Sequence, residues 1–288
     1  MLELVTGGEL FERIVQKAHY SEREARAVFK QMVSGIATAH QRHICHRDLK
    51  PENVLLASKT DDTTIKLADL GFAKILPAAN SLMTTPCGTP GYVAPEVIAT
   101  PSRGYSTACD VWSMGVILFI LLVGQPPFHS DKDDQSELFE QIKSGRFEMN
   151  PRDWAEVSED AKELVKRILV VDPTRRITAH QILNHRWMKI DSEQLRDKHL
   201  GGTMSAMKRF VARRRLRKAI RGVLTIVRMK LMMAGSASSR ARSRGANADE
   251  QEAAFFAAAQ TQSLRPEQSE YPDAYLGANR PMRTAGGR

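Results

Sequence analysis

Apolar residues recur at helical spacing through most of residues 1 to about 190, which predicts a mainly helical body. Two stretches begin with a capping box, Ser21 with Glu24 and Thr178 with Gln181, in which a hydroxyl and a side chain three residues later satisfy free helix-end groups. The residues after Thr107 are apolar on nearly every side, as expected of a buried central helix. The predicted helices run from Ser21 to about His43, from Thr107 to Gly124, from Ser136 to Ser144 and from Thr178 through Asn184.

Strand signals are confined to two short segments, Val54–Leu56 and Ile65–Ala68, separated by a polar turn over residues 59–62. Two such strands in a helical body predict a small antiparallel β-hairpin.

Charge is distributed unevenly along the 288 residues. Residues 198–248 contain 14 Lys and Arg and no acidic residue, whereas the whole chain has a net charge of +9. The other residues therefore sum to 9 − 14 = −5, so a mildly acidic body carries a basic extension. Such asymmetry is typical of an interaction segment.

The composition divides the chain into three zones. We expect a folded domain over residues 1–190, a basic amphipathic segment over 191–233, and a disordered tail over 234–288 that is rich in Ala, Ser, Gly, Arg and Gln. Cys45, Cys87 and Cys109 are too few and scattered to predict a disulfide framework or a zinc site. The longest apolar run, residues 116–123, is too short for a membrane span, and no signal peptide is evident, so we expect the cytoplasm or nucleus.

Polar residues that can take part in catalysis lie directly before the first strand of the hairpin and directly after its second strand. The segment 46–53 precedes its first strand and contains Asp48, Lys50 and Asn53, while Asp69 follows its second strand. Antiparallel pairing brings the two flanks together. Two carboxylates, an amide oxygen and an ammonium group suit Mg²⁺ and phosphoryl transfer to a hydroxyl.

These motifs resemble those of the protein kinases. His46-Arg-Asp-Leu-Lys-Pro-Glu-Asn53 is similar to the kinase catalytic loop, Asp69-Leu-Gly71 to the usual Asp-Phe-Gly, and Ala94-Pro-Glu96 to the end of the activation segment. The resemblance implies ATP and Mg²⁺ as cofactors. It implies Asp48 as the catalytic base and Lys50 as the group that neutralises the moving phosphoryl, with Asn53 and Asp69 as the metal ligands.

The resemblance also implies roles around the activation segment. Thr89 matches the substrate-side threonine of Ser/Thr kinases, and Thr85 is the candidate phosphosite, for an upstream kinase, with Arg47 as the phosphate's partner. Asp110 and Arg175 match residues that hold the catalytic loop and Glu96 in place. Leu70, in place of Phe, is expected to pack into the core.

The opening residues are similar to the kinase hinge. By that match the backbones of Glu3 and Val5 meet the adenine edge of ATP, and Leu55 lies beneath the ring. Glu9 and Glu52 would contact the substrate and favour protein substrates with an upstream basic residue.

The resemblance covers the large lobe and none of the small lobe: a Gly-rich phosphate loop and a Val-Ala-Ile-Lys strand are not present. Two interpretations follow. Met1 is an internal methionine of a longer protein, or the short chain is a non-catalytic remnant that binds calmodulin or substrates. The first is favoured because every large-lobe catalytic residue is in place.

Residues 204–233 read as one helix with a basic stretch and apolar anchors. Alone, the pattern fits a calmodulin target, an anionic membrane or a nucleic acid. The segment Cys87–Glu96 looks like the calcium/calmodulin-dependent kinases, where an autoinhibitory, calmodulin-binding helix follows the large lobe, so calmodulin is the expected partner and nucleic acid is not. The predicted contacts are Phe210, Arg213, Arg214, Arg215, Leu216, Ile220, Val223 and Leu224.

The fold class expected from these features is protein-kinase-like: a mainly α large lobe with a small β-hairpin, followed by the amphipathic helix and tail. The expected function is Ca²⁺/calmodulin-regulated phosphorylation of protein Ser/Thr. A non-catalytic binding module is the alternative, and a nucleic-acid adaptor is a weaker one.

Overall fold

The computed structural model describes residues 3–17, 20–99, 103–130, 134–191 and 200–235. Nearly all of the tail expected to be disordered, and residues 192–199 of the basic segment, lie outside these residues. The helices are α1 (Leu10–Ile14), α2 (Glu22–Gln41), α3 (Pro95–Ala99), α4 (Ala108–Val123), α5 (Gln135–Ser144), α6 (Glu159–Ile168), α7 (Ala179–Asn184), α8 (Arg186–Lys189) and α9 (Gly201–Gly235). The strands are β1 (Ile44–Cys45), β2 (Val54–Leu56), β3 (Ile65–Leu67) and β4 (Lys74–Ile75).

Helix α4 forms the centre of the core, as its all-round apolar sequence predicts. Every side chain from Cys109 to Val123 is buried. Gly124 ends the helix in the left-handed conformation, with φ of 79°, and its N–H donates to the Ile120 carbonyl at 2.7 Å. Among the described residues, no helix combines the length and apolar character needed to cross a bilayer.

Helix α2 begins with the predicted capping box. The Ser21 hydroxyl accepts from the Glu24 N–H, and the Glu24 carboxylate accepts from the Ser21 N–H at 2.9 Å. The helix ends at Gln41, two residues before the predicted end, because His43 adopts a left-handed φ of 58° that turns the chain into β1. Its buried face packs against α4 and α7.

The predicted hairpin is confirmed as the antiparallel pair β2–β3, in which Val54 lies opposite Leu67 and Leu56 opposite Ile65. A second ladder, β1 with β4, pairs Ile44 with Ile75 and was not predicted. Two residues are too few to show the alternation from which strands are recognised. Together the ladders bracket the catalytic-loop segment and the Asp69 turn, and hold both at one end of the hairpin.

Helix α9 includes the helix predicted over 204–233 and lies against the end of α4. The Thr203 hydroxyl donates to the Leu122 carbonyl at 2.6 Å, and Met204, Met207 and Val211 are buried. A Cβ on Gly124 would lie 2.3 Å from the Thr203 carbonyl oxygen, so a residue without a side chain is needed at this crossing.

Candidate active site

The candidate catalytic side chains converge on Asp48, which is buried in the loop between β1 and β2. Its carboxylate accepts from the Thr89 hydroxyl at 2.8 Å and from the Lys50 ammonium at 2.5 Å. The Asn53 amide donates to the Asp48 carbonyl at 2.8 Å, which fixes the loop between them. A carboxylate held between an ammonium and a threonine hydroxyl is placed to accept a proton from a bound hydroxyl group.

Asp110, in the first turn of α4, holds the catalytic-loop backbone as its match predicts. It accepts the N–H groups of His46 at 2.9 Å and Arg47 at 2.8 Å, and bonds the imidazole of His40 at 2.9 Å. Burial alone would raise the pKa of Asp110, but these hydrogen bonds outweigh it, so the pKa of the carboxyl is lowered. The charged Asp110 can therefore keep Arg47 in its left-handed conformation, with φ of 68°.

Asp69 is exposed and follows β3, the second strand of the hairpin. It adopts a φ of 63°, and its carboxylate accepts the Gly71 N–H at 3.3 Å. The Arg47 guanidinium donates to the Phe72 carbonyl at 2.5 Å and so ties the Asp69 turn to the catalytic loop.

The donor set at this end of the hairpin fits Mg²⁺. Asn53 uses its amide nitrogen to bond Asp48, which leaves its oxygen as the group able to coordinate a cation. Asp69 adds an exposed carboxylate, and the two residues flank paired strands, with the Ala68 N–H donating to the Asn53 carbonyl at 2.9 Å. Few protein oxygens and open access suit an ion that keeps water and phosphate in its shell.

The expectation that Leu70 packs into the core is wrong. Its side chain is 63% exposed, at the rim of an apolar cavity of about 240 Å³ between α2 and β3. The left-handed Asp69 reverses the chain just before Leu70, and among the described residues no element covers the leucine.

The predicted partner of Glu96 is also wrong by one residue. Arg176, not Arg175, forms a two-armed contact with the Glu96 carboxylate, at 2.7 and 2.8 Å. The Arg176 guanidinium also donates to the Ala108 carbonyl at 2.7 Å and lies 5.1 Å from the centre of the Trp112 ring. Arg175 is exposed. A motif match does not distinguish two adjacent arginines. The direction of the backbone decides which of the two side chains points inward.

Tyr105 holds the activation segment at Met83 and Thr85. The Tyr105 hydroxyl donates to the Thr85 carbonyl at 2.7 Å, and Met83 pairs with Tyr105 through two backbone bonds of 2.8 Å. Burial acts to lower the pKa of Arg47, but neighbouring Cys87 and Tyr105 outweigh it and the pKa is raised, so the guanidinium is charged. A cation in this position is suited to pair with a phosphate on the segment.

The hinge-like segment runs along β2. The Gly7 N–H donates to the Leu56 carbonyl at 3.1 Å, the Leu56 N–H donates to the Gly8 carbonyl at 2.9 Å, and Glu9 pairs with Leu55. A Cβ on Gly7 would lie 2.3 Å from the Leu56 oxygen, so glycine permits this close approach. Glu3 is exposed and pairs with Lys66 at 3.1 Å, and the predicted adenine contacts Glu3, Val5 and Leu55 thus lie on neighbouring chain segments.

The candidate substrate residues Glu9 and Glu52 are both engaged by α9. Arg214 pairs with Glu9 and lies 3.5 Å from the Glu52 carboxylate. Glu12, which the sequence did not single out, lies 3.9 Å from Arg214 and also bonds Arg215, at 2.7 Å. Its position three residues after Glu9, on the same side of a helical turn, is the sequence feature that could have indicated its place beside Glu9. We call Glu9, Glu12 and Glu52 the acidic cluster.

The predicted calmodulin contacts on α9 divide into two groups. Phe210 packs partly buried against the core, whereas Leu216, Ile220, Val223 and Leu224 are 49–61% exposed. Arg213 is exposed, while Arg214 and Arg215 engage the acidic cluster. Residues 216–224 of the helix therefore present an exposed apolar stripe.

Comparison with known proteins agrees with this geometry. The model of the protein kinase domain matches residues 1–188. The chain is 43% identical over 241 residues to mouse calcium/calmodulin-dependent protein kinase type IV, which covers 83% of this chain and 49% of the mouse protein. It is 38% identical over 241 residues to calcium/calmodulin-dependent protein kinase type 1 of Caenorhabditis elegans, covering 83% of this chain and 67% of that protein.

A type 1 kinase of the prawn Macrobrachium nipponense is 41% identical over 231 residues, covering 80% of this chain and 65% of its own length. The chain thus spans about half to two thirds of the length of these relatives. The chain belongs to the protein kinase family, in its calcium/calmodulin-dependent group.

Proposed function

We propose that this protein transfers the γ-phosphoryl group of ATP, with Mg²⁺, to Ser and Thr of protein substrates. The observation that carries the proposal is the carboxylate of Asp48, held between the Lys50 ammonium and the Thr89 hydroxyl. The family generally uses ATP and Mg²⁺, and the oxygens of Asn53 and Asp69 are the groups that would hold the ion.

In this proposal each residue acts on a defined atom. Asp48 orients the substrate hydroxyl and accepts its proton as the oxygen attacks the phosphorus. Lys50, 2.5 Å from the same carboxylate, stabilises negative charge on the transferring group. Thr89 fixes the orientation of the Asp48 carboxylate through its 2.8 Å hydrogen bond. When bound, Mg²⁺ neutralises the phosphate oxygens.

The acidic cluster supports a preference for substrates with a basic residue upstream of the target. Arg214 is one such basic residue already in place, because it pairs with Glu9 and lies 3.5 Å from Glu52. We infer that α9 occupies the substrate arm of the site and keeps the protein inactive until the helix is removed.

Calmodulin is the proposed agent of that removal. A basic helix with exposed apolar side chains at spacings of three and four fits a hydrophobic groove lined by flexible side chains. The exposed Leu216, Ile220, Val223 and Leu224 provide the apolar contacts. Capture of this stripe would draw Arg214 and Arg215 away from the acidic cluster.

The test is phosphate incorporation into a peptide with an Arg upstream of its target Ser, measured with Ca²⁺/calmodulin present. Asp48→Asn should lower kcat by roughly 10²–10⁴-fold, the usual loss for a general base. Asp153→Asn removes an exposed carboxylate elsewhere on the lobe and should leave kcat near wild type. Wild-type protein that incorporates no phosphate, or equal rates for the two variants, would contradict the proposal.

A further inference from the structure

Two thiols and a carboxylate meet in the core behind the catalytic loop. None of them is a reactant in the proposed phosphotransfer. The sulfurs of Cys45 and Cys109 lie 3.6 Å apart, and the Cys45 sulfur lies 3.3 Å from the Asp110 carboxylate. All three ligand atoms lie within 4.8 Å of one another, and all three residues are buried. We call these three residues the thiol cluster.

The spacing within the thiol cluster matches tetrahedral metal coordination. With Zn–S near 2.3 Å and Zn–O near 2.0 Å, tetrahedral angles place two sulfur ligands about 3.8 Å apart and a sulfur and an oxygen about 3.5 Å apart. The observed 3.6 and 3.3 Å differ from these values by about 0.2 Å. The cation would take the place of the thiol proton that Cys45 now directs at Asp110 Oδ2, an oxygen that also bonds His40 and the His46 N–H.

Each ligand is carried by an element that holds it in place. Cys45 ends β1, while Cys109 and Asp110 lie in the first turn of the 16-residue helix α4. The hydrogen bond with Cys109 and burial raise the pKa of the Cys45 thiol. The hydrogen bond with Cys45 lowers the pKa of the Cys109 thiol, but burial and Asp110 outweigh it and the pKa is raised, so the bound cation itself has to stabilise the thiolates. The imidazole of His40 bonds Asp110 at 2.9 Å. Carboxylate–histidine pairs of this kind commonly orient metal ligands.

Charge balance is also favourable. Two thiolates and the Asp110 carboxylate carry −3, so a divalent cation leaves −1 in the cluster. The charged Arg47 guanidinium lies close enough to interact with Cys45, and its backbone N–H bonds Asp110 at 2.8 Å. The remaining charge therefore has a partner. Sulfur ligands select a thiophilic ion and disfavour Mg²⁺, which prefers oxygen.

We propose that Cys45, Cys109 and Asp110 bind one thiophilic divalent cation of the Zn²⁺ class, at a site separate from that of Mg²⁺. Binding forms two metal–sulfur bonds and one metal–oxygen bond, and releases the two thiol protons to solvent. The cation joins the end of β1 to the start of α4 at the point where Asp110 holds the catalytic loop. It would act as a structural tie and not as a reactant.

The test is a Co²⁺ titration of the full chain, kept reduced with a phosphine and equilibrated before reading, because the ion enters only when β1 and α4 separate transiently. One Co²⁺ per chain should produce thiolate-to-cobalt charge-transfer absorbance and tetrahedral ligand-field bands, and Zn²⁺ should displace both. Cys45→Val and Cys109→Ala should each lose the charge-transfer absorbance, whereas Cys87→Ser, which removes the remaining thiol, should keep it.

X-ray absorption at the zinc edge of the wild-type protein provides a measurement that does not depend on folding of a variant. Two sulfur ligands at about 2.3 Å are expected. Absorbance that survives in the Cys45→Val protein, disappears in Cys87→Ser, or is absent from the wild type would overturn the proposal. So would a zinc spectrum with only nitrogen and oxygen ligands.

Discussion

At the scale of single residues, neighbouring side chains of the same type have opposite environments. Arg176 is buried and bonds Glu96, Ala108 and Val170, whereas Arg175 is exposed beside it. The difference follows from the turn that begins at Asp172, whose carbonyl accepts the N–H groups of both arginines at 3.1 Å. The buried ion pair is therefore set by a local turn, which also places Ile177 in the core.

Replacement of Arg176 provides a test at this scale. Arg176→Ala leaves the nearly buried Glu96 carboxylate without its partner, so we expect a loss of about 3–5 kcal/mol in the free energy of unfolding. Arg175→Ala is the matched control and should change stability by less than about 0.5 kcal/mol. Urea denaturation followed by circular dichroism measures both free energies of unfolding. Equal losses for the two substitutions would contradict the assignment of the buried ion pair to Arg176 alone.

At the scale of elements, α9 is held at two places with different chemistry. Its first turns bury Met204, Met207 and Val211 against the end of α4, which is an apolar contact. Arg214 and Arg215 then meet the acidic cluster, which is a charged contact over α1 and the catalytic loop. Salt and substitution should affect the two contacts separately.

The apolar contact depends on Gly124. Gly124→Ala adds a Cβ 2.3 Å from the Thr203 carbonyl at a residue with φ of 79°, so we expect a loss of stability of at least about 1–2 kcal/mol from the backbone strain alone. Gly222→Ala, within α9, adds a Cβ that meets no atom within 4 Å and should stabilise the helix by about 0.5–1 kcal/mol. Thermal unfolding distinguishes them: a Gly124→Ala protein as stable as wild type would rule out a tight crossing.

The charged contact is tested by charge reversal. Arg214→Glu with Arg215→Glu should repel the acidic cluster and raise kcat/KM in the absence of calmodulin, because the substrate arm becomes free. Arg213→Glu makes the same kind of change at an exposed neighbour and should have a small effect on basal kcat/KM. Peptide phosphorylation without Ca²⁺ measures both, and equal basal rates would mean that α9 does not block the site.

At the scale of the whole molecule, one basic helix carries two different surfaces. The residues outside 198–248 sum to a charge of −5, and the acidic cluster concentrates part of it beneath Arg214. The apolar stripe on the same helix faces outward. Because one element carries both surfaces, the proposed binding of calmodulin to the stripe can be coupled to release of the acidic cluster.

Calmodulin binding is tested by placing charge on the stripe. Leu216→Asp and Ile220→Asp put a carboxylate where the proposed groove is apolar and should weaken binding at least about tenfold, while leaving lobe stability within about 0.5 kcal/mol because both sites are exposed. Lys218→Asp, on the opposite side of the helix from Leu216, is the control and should cost less affinity. Calorimetry at two salt concentrations measures each, and unchanged affinity in Leu216→Asp would exclude the stripe as the binding surface.

The sequence alone determined the elements whose patterns are local. Capping boxes at Ser21 and Thr178, the apolar run of α4 and the glycine stop at Gly124 each depend on residues within a few positions of one another. The catalytic-loop motif could be recognised for the same reason, because its residues are contiguous. Its pairing across the hairpin with Asp69 followed from two strands only nine residues apart.

Tertiary structure decided every feature that depends on direction or on distant partners. It placed Arg176 and not Arg175 against Glu96, and it left Leu70 exposed. It also placed Glu12 in the acidic cluster and brought the thiols of Cys45 and Cys109, 64 positions apart in the chain, to 3.6 Å. A sequence pattern records what kind of residue stands at each position. Which way its side chain points, and what meets it there, is fixed only when the chain has packed around α4.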